Sequence, residues 1–144
     1  MKLSDQTLAV LKNFASINTG VVLQPGTKQK SISHDRSVLV EAVIPDSLPH
    51  QFGIYDLNQF LGNVTTVKDA ELDFSEQSVR ISGAGLSRGV TYFGSSPNLI
   101  ISPPADKELV LKNVDVSFDL SNQLLSVLLR LAAMNKLPFL SIIG

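Results

Sequence analysis

Hydrophobic positions recur at helical spacing in several segments of the chain. Residues 4–17 carry apolar side chains three and four positions apart, a pattern that predicts an amphipathic helix. Ser4 or Asp5 can begin this helix, because either side chain can accept a hydrogen bond from a free N–H of the first turn. We expect the helix to end near Gly20, with that glycine in the left-handed conformation common after helix C-termini.

Two later segments show the same periodicity. A second helix is predicted to begin at Asp56, a good N-cap residue, with Gln59 as its partner in a capping box. A third helix is predicted from about residue 120 to 136, before Pro138. Apolar residues cover most of its circumference. Either sheets of the same chain enclose this helix, or another domain or another chain packs on it.

Shorter segments with alternating polar and apolar residues predict antiparallel strands. Pro25-Gly26 suits a type II turn that would join a strand at residues 21–23 to a returning strand at residues 28–32. Residues 37–44 give the strongest strand signal in the first half, and Pro45 is expected to end that strand. Further strands are predicted near residues 52–54, 70–74, 78–82, 88–94 and 108–117, with another beginning at 139–143.

A short motif occurs twice along the chain. Tyr55-Asp56-Leu57 opens the second predicted helix and Phe118-Asp119-Leu120 opens the third, each with an aspartate in position to cap it. Such an echo suggests a duplicated supersecondary unit. Between the two copies, residues 95–106 are rich in serine and proline and are predicted to form a linker.

Composition narrows the class of protein. The formal net charge is −1, so the whole surface cannot be a basic DNA-binding surface, but a few lysines on one face suffice for sequence-blind phosphate contacts. The chain has no cysteine, which excludes disulfides, thiolate metal sites and a cysteine nucleophile. No apolar run is long enough to span a membrane, and no signal peptide is evident, so a cytoplasmic protein fits best.

The chain offers little for catalysis. Its two histidines, His34 and His50, lie in polar segments without metal-ligand spacing, and we expect both to be exposed loop residues. A hydrolase built on His34 and Asp35 lacks a Gly-x-Ser-x-Gly elbow. Residues 83–89 are glycine-rich, but Arg88 replaces the sixth-position glycine of a dinucleotide-binding loop, which favours a hairpin. We therefore expect no enzymatic activity, no cofactor and no metal.

Four cations are candidates for a surface that faces nucleic acid. Lys12 is the one basic residue inside the first predicted helix, and Lys2 precedes that helix. Arg130 and Lys136 belong to the third. These residues either solvate outer helix faces, as most lysines do, or share one surface that contacts phosphates without reading bases.

Two contiguous segments resemble the sliding clamp of T4-type bacteriophages, a DNA polymerase processivity factor. Residues 11–20 resemble the end of that family's first helix and the turn after it, and residues 54–62 resemble the start of its second helix. Met1-Lys2-Leu3-Ser4 is also similar, and the spacing from the start of the chain to the motifs agrees. The third helix is more loosely similar to the first helix of the family's second domain, through Leu124-Leu125 and Leu128-Leu129-Arg130.

The resemblance implies an α+β DNA-clamp fold, with an antiparallel sheet and two helices packed on one face. Residues 1–106 would form the N-terminal clamp domain, and residues 107–144 would begin a second clamp domain that is cut short. A truncated second domain would leave apolar surface at 108–143, so we expect this chain to self-associate through that segment.

The resemblance also implies a function. Members of the family are non-catalytic homotrimeric rings that encircle duplex DNA without sequence specificity, are opened by an ATP-dependent clamp loader and tether the DNA polymerase. They act in the cytoplasm of the infected bacterium, with no membrane partner. Lys12 lies within the matching helix, which makes it the first candidate for the DNA-facing surface, followed by Lys2, Arg130 and Lys136. The alternative is a small α+β protein-interaction module with no role on DNA.

Overall fold

The computed structural model describes residues 1–104 and 117–141. The chain divides into two compact units, Met1–Lys107 and Glu108–Gly144. In the first unit the elements are α1 (Asp5–Ile17), β1 (Val21–Leu23), β2 (Gly26–Ile32), β3 (Leu39–Leu48), β4 (Phe52–Ile54), α2 (Leu57–Thr66), β5 (Lys68–Phe74), β6 (Ser78–Ala84), β7 (Val90–Phe93) and a 3-10 turn at Pro97–Leu99. The second unit contains α3 (Asn122–Met134). Of the helices that these residues form, none has the length and apolar character needed to cross a membrane.

Each helix begins after a side chain that accepts a hydrogen bond from a backbone N–H three residues further on. Ser4 accepts from Thr7 N at 3.2 Å and Asp56 accepts from Gln59 N at 2.9 Å, which confirms both predicted N-caps. The predicted cap of the third helix is wrong. Ser121, not Asp119, caps α3, because the chain stays extended up to Ser121.

The C-terminus of α1 differs from the prediction. Gly20 does not adopt positive φ, and the helix ends at Asn18 in an extended conformation. The Asn18 amide replaces the expected glycine cap: its Nδ2 donates to the carbonyls of Ile32 and Ile101 at 2.9 Å, and its Oδ1 accepts from Gly20 N at 3.1 Å. A Cβ at Gly20 would lie 3.1 Å from Ile54 O, so close approach rather than backbone conformation requires glycine there.

The strands pair differently from a simple succession of hairpins. Gly26 has φ of 87°, as the predicted turn requires, but β2 pairs with β3 rather than returning along β1, so the predicted β1–β2 hairpin is wrong. Strand β3 also continues through Pro45 to Leu48. The register between β2 and β3 shifts between Gly26 and Lys28, and Pro45 lies in that irregular stretch, where no ladder N–H is needed.

The first unit contains an internal repeat. Met1 exchanges two backbone hydrogen bonds with Leu72 of β5, at 2.6 and 2.7 Å, so the segment before α1 pairs with the strand after α2. In the same way β4, which precedes α2, pairs with β1, which follows α1. Strands β2 and β3 complete the first copy, and β6 and β7 complete the second in the sheet β5-β6-β7. The repeated unit is thus strand–helix–three strands.

The core of the first unit lies between the two helices and the strands. Helices α1 and α2 contact each other, α1 packs on β2 and β3, and α2 packs on β5. This arrangement confirms the predicted α+β class with helices packed on antiparallel strands, although the described strands form three sheets, β1-β4, β2-β3 and β5-β6-β7, rather than one. The most deeply buried apolar side chains are Leu11, Phe14, Val21, Leu23, Ile44, Phe52, Ile54, Leu57, Phe60, Leu72, Val79 and Ile81.

Part of the predicted linker belongs to the first unit. Ser95 N donates to Gly53 O at 2.9 Å, Ile100 is buried, and Ile101 O accepts from Asn18. The linker prediction is therefore wrong for residues 95–101, because tertiary contacts hold a segment whose composition resembles a loop. Residues 105–106 lie outside the described residues.

The second unit is described by α3 and its flanks. No described residue of α3 is buried, and Leu124, Val127, Leu129, Leu131 and Met134 are among its exposed side chains. The described residues of the second unit therefore do not enclose the helix. The strand predicted at 108–117 lies outside the described residues except for its last position, as do the last two positions of the strand predicted to begin at 139–143.

Candidate nucleic-acid interface

The exposed sides of α1 and α2 form the candidate interface, called here the helix face. Helical periodicity places the buried residues of each helix on one side and leaves the other side in solvent. The helix face consists of Asp5, Gln6, Ala9, Lys12, Asn13 and Ser16 from α1, and of Asn58, Gln59, Gly62, Thr65 and Thr66 from α2.

The helix face is nearly free of charge. Its charged residues are Lys12 and Asp5, both on α1. Most acidic residues of the first unit lie instead on strands and turns: Asp35, Glu41, Asp46, Asp69, Glu71, Asp73 and Glu76. The helices thus carry two exposed carboxylates, Asp5 and the α2 N-cap Asp56, while most others lie on strands and turns.

The lysines of β2 lie on the other face of their hairpin. Gln29 and Ser31 are buried toward the core, so the alternation of the strand places Lys28 and Lys30 on the opposite face. Both pair with Glu41, at 3.1 and 3.5 Å, and these contacts lower the pKa of the Glu41 carboxyl. Lys28 and Lys30 therefore do not contribute to the helix face.

The four predicted cations are all exposed and fall into two groups. Lys12 lies in the middle of α1 on the helix face, and Lys2 lies just before α1, so the first unit holds both. Arg130 lies on α3 and Lys136 follows it with a positive φ of 54°, so these two belong to the second unit. Among the residues that the structure describes, no ion pair engages Lys12.

A polar contact that the sequence does not reveal fixes the start of α1. Asp46, in the irregular stretch of β3, accepts hydrogen bonds from Ser4 N at 2.7 Å and Ser4 Oγ at 2.8 Å. Partial burial raises the pKa of Asp46, but hydrogen bonds from Thr7 and Ser4 outweigh it and leave the pKa below its ordinary value. Asp46 therefore holds the N-terminus of α1 against β3 as a carboxylate.

The start of α2 is fixed from two sides. Leu57 N donates to Thr19 O at 2.7 Å, which ties α2 to the turn after α1. The hydroxyl of Tyr92 donates to Asp56 O at 3.3 Å, and burial raises the pKa of that phenol. The Tyr92 ring also meets Phe60 edge to face at 5.3 Å. These contacts hold the start of α2 against the turn after α1 and against β7, and the two helices also contact each other.

The residues considered for catalysis have structural roles. Asp35 accepts from the hydroxyls of Ser33 and Ser37, and these hydrogen bonds lower its pKa to about 2. Asp35 therefore stabilises the β2–β3 turn and does not orient a histidine. His34 is exposed as expected, whereas His50 is only partly exposed and lies within hydrogen-bonding distance of Ser75 O, at 2.9 Å.

Two further expectations concern metals and phosphate loops. Within residues 1–104 and 117–141, no cluster of three histidine, aspartate or glutamate side chains could hold a metal ion. The glycine-rich segment at 83–89 joins β6 to β7 as an antiparallel hairpin, as its sequence predicts, and it does not lead into a helix. It therefore lacks the helix N-terminus that a phosphate loop uses.

Comparison with known proteins gives a consistent result. The family model described as DNA polymerase processivity factor matches residues 2–85, which include both helices of the helix face. The sliding clamp of Vibrio phage KVP40 is 41% identical over 85 residues, covering 59% of this chain and 38% of the relative. The sliding clamp of Enterobacteria phage T4 is 36% identical over 105 residues, covering 72% and 45%.

A third relative extends the match further along the chain. The sliding clamp of Escherichia phage RB69 is 33% identical over 125 residues, covering 85% of this chain and 50% of the relative. The chain therefore spans half or less of the length of the curated relatives that it matches.

Proposed function

The chain belongs to the DNA polymerase processivity factor family, and we propose that it is a non-catalytic sliding-clamp subunit that tethers a DNA polymerase to duplex DNA. The observation that carries the proposal is the helix face. Two helices lie side by side, their exposed side carries one lysine and one aspartate, and most acidic residues lie on other elements. Such a surface can lie against a polyanion without reading its sequence.

The proposed contact with DNA is weak and mobile. The ammonium of Lys12 attracts phosphates, while the amides and hydroxyls around it form hydrogen bonds to backbone oxygens directly or through water. Lys2 adds a second cation at the start of the first unit. We propose that Arg130 and Lys136 serve the second unit in the same way, as exposed cations on and next to α3.

The proposed partners follow from the resemblance to the sliding-clamp family. They are duplex DNA, a DNA polymerase, an ATP-dependent clamp loader and further copies of the same protein in a homotrimeric ring, all in the cytoplasm of an infected bacterium. We further propose that residues 1–106 form one clamp domain and residues 107–144 begin a second. The exposed apolar side chains of α3 support this division, because they need a covering element.

A processivity assay tests the proposal. The phage polymerase extends a primed circular template in the presence of loader, ATP and trap DNA, with and without the protein encoded by the complete gene that contains these residues. We expect longer products when the protein is present, and only with loader and ATP. Unchanged product lengths would refute the proposed function.

A matched pair of variants tests the helix face in the same assay. Lys12→Glu reverses the cation on α1, and Lys28→Glu makes the same charge change on the opposite face of the β2–β3 hairpin. We expect Lys12→Glu to shorten the products and Lys28→Glu to leave them near wild-type length. Equal shortening by both variants would mean that net charge, not the helix face, matters.

A further inference from the structure

The segment after β7 covers one side of β4. Residues 95–101, called here the strap, contain the 3-10 turn at Pro97–Leu99, which contacts β4. Among the described strands only β1 pairs with β4, and Gly53 O of β4 accepts a hydrogen bond from Ser95 N at 2.9 Å. A Cβ at Gly53 would overlap Ser95 O, so the strap crosses the strand at backbone contact. The strap therefore covers a strand edge that would otherwise be open to pairing.

Two glycines form a notch that receives one side chain of the strap. Ile100 is buried, whereas Leu99 beside it is 70% exposed. A Cβ at Gly20 or at Gly53 would come within 3.2 Å of a methyl group of Ile100. Neither glycine has a positive φ, so close approach of the strap, rather than backbone conformation, favours glycine at both positions. The notch thus holds the Ile100 side chain against β4 and the turn after α1.

A side-chain amide provides a third anchor. Asn18 Nδ2 donates to Ile101 O and to Ile32 O, both at 2.9 Å, and so ties the end of the strap to the end of β2. Between the anchors, the strap is bonded to itself: Leu99 N donates to Ser96 O, and Ile100 N donates to Pro97 O. This internal turn joins the anchors, so that a movement at one of them is transmitted to the others.

We propose that the strap is a closing element that opens as one unit, at a lower free energy than the unfolding of the first unit. Its anchors are few: the backbone bond of Ser95, the side chain of Ile100 and the bond from Asn18. Segments with few buried contacts open locally while the rest of a protein stays folded. Opening exposes the edge of β4 and the empty notch, a surface to which an extended chain can add as a strand. Closure shields the first unit from such pairing.

Amide hydrogen exchange of the whole chain, followed by NMR, tests whether the strap opens separately. Ser95, Leu99 and Ile100 report the strap, because each of their amides donates a hydrogen bond in the closed form. Val79 and Ile81 report unfolding of the unit, since both are fully buried on β6, the central strand of its sheet. We expect the three strap amides to share a protection factor at least about tenfold below that of the β6 amides.

Two results of this measurement would overturn the proposal. Strap amides protected as strongly as those of Val79 and Ile81 would show that the strap opens only when the whole unit unfolds. Widely different protection at Ser95 and Ile100 would show that the strap does not open as one unit.

A matched pair of variants inside the strap tests the coupling between its anchors. Ile100→Ser removes the side chain from the notch, and Leu99→Ser makes a similar change at the exposed neighbour. We expect Ile100→Ser to lower the protection of the Ser95 amide, five residues away, by at least about tenfold, because loss of a buried aliphatic side chain is costly. Leu99→Ser should leave it unchanged. Equal protection of Ser95 in both variants would mean that its bond opens independently of the notch.

A second pair opens the strap from the side of β4. Gly53→Ala places a methyl group against Ser95 O, whereas Gly62→Ala adds the same group where it meets no neighbour. We expect the strap amides of Gly53→Ala to lose most of their protection while Val79 and Ile81 stay protected, and Gly62→Ala to keep its strap closed. Loss of protection on β6 together with the strap would contradict a separate opening.

Light scattering of the same pair tests the shielding role. Both chains keep α3 unchanged, so a difference between them in self-association reports the strap and not the apolar side chains of α3. We expect a larger mean mass for Gly53→Ala than for Gly62→Ala at equal, high concentration, because the open edge of β4 can pair with another chain. Equal masses would overturn the shielding role.

Discussion

Replacing Asp46 by alanine should destabilise the first unit by detaching α1 from β3. The substitution removes the acceptor of Ser4 N and Ser4 Oγ, together with the hydrogen bond from the Thr7 side chain. Thr7 is fully buried, so its hydroxyl cannot turn to water without moving the helix. Hydrogen bonds to a charged group contribute about 1.5–3 kcal/mol, and partial exposure of Asp46 favours the lower part of that range. We expect a loss of about 2 kcal/mol.

Urea denaturation at neutral pH measures this loss. In thermal unfolding, a loss of about 2 kcal/mol would appear as a decrease in Tm of roughly 10 °C for a unit of this size. Glu76→Ala is the matched control, since Glu76 is an exposed carboxylate in the β5–β6 turn and its loss should change stability by less than about 0.5 kcal/mol. A variant at Asp46 that unfolds at the wild-type urea concentration would contradict the structural role.

The effect of Asp46→Ala on the free energy of unfolding should depend on pH. Because the folded-state pKa of Asp46 is lowered from 3.8, its carboxylate contributes its full stabilisation above that value. The contribution is lost as the pH falls through the folded-state pKa. The stability difference between wild type and Asp46→Ala should therefore be constant near neutral pH and narrow below about pH 4. A difference that stays constant in acid would show that the charge is irrelevant.

Of three further predictions, one is a gain in stability, one is a loss of stability and one concerns self-association. Gly62→Ala should stabilise the protein by about 0.5–1 kcal/mol in urea denaturation, because α2 gains helix propensity and the new methyl group meets no neighbour; a destabilised variant would contradict this. Asn18→Ala should cost about 2 kcal/mol in the same assay, because it removes bonds to the part-buried carbonyls of Ile32 and Ile101; a loss below about 1 kcal/mol would contradict it. At high concentration the chain should self-associate through α3, and Leu129→Glu should reduce the mass measured by light scattering; a wild-type monomer would refute this.

Local signals in the sequence were enough to predict where most elements lie. The N-caps Ser4 and Asp56, the turn glycine Gly26 and the alternation in β5 and β6 act within a few residues, so the pattern contains their whole cause. The errors arise where a distant partner decides the conformation. Asn18, for example, ends α1 through a carbonyl 83 residues away, which no local pattern can indicate.

Buried polar side chains account for much of what the sequence did not predict. Gln29 is fully buried and folds back on the turn before it, donating to Gln24 O at 2.9 Å and accepting from Gln24 N at 2.8 Å. Asp46 is only partly buried, but its contacts with Ser4 likewise join residues that are distant in the sequence. In sequence each resembles an ordinary surface residue of a strand, because only the tertiary fold supplies its partner. Lys12 could be proposed from the sequence by resemblance, because it lies within the segment that matches the family's first helix.

The proposed DNA-facing surface is compatible with the chain's net charge of −1, because most carboxylates lie on other elements. A helix packed on a sheet separates the exposed helix side from the outer sheet face by more than about 10 Å, the diameter of a helix. The Debye length at physiological ionic strength is about 8 Å, so carboxylates such as Glu71 and Asp73 on β5 are largely screened from a duplex on the helix face. A duplex on the proposed helix face would then meet one lysine and one aspartate among neutral donors. Net charge is therefore a poor guide to DNA contact in this fold, and the distribution of charge between helices and strands is the relevant quantity.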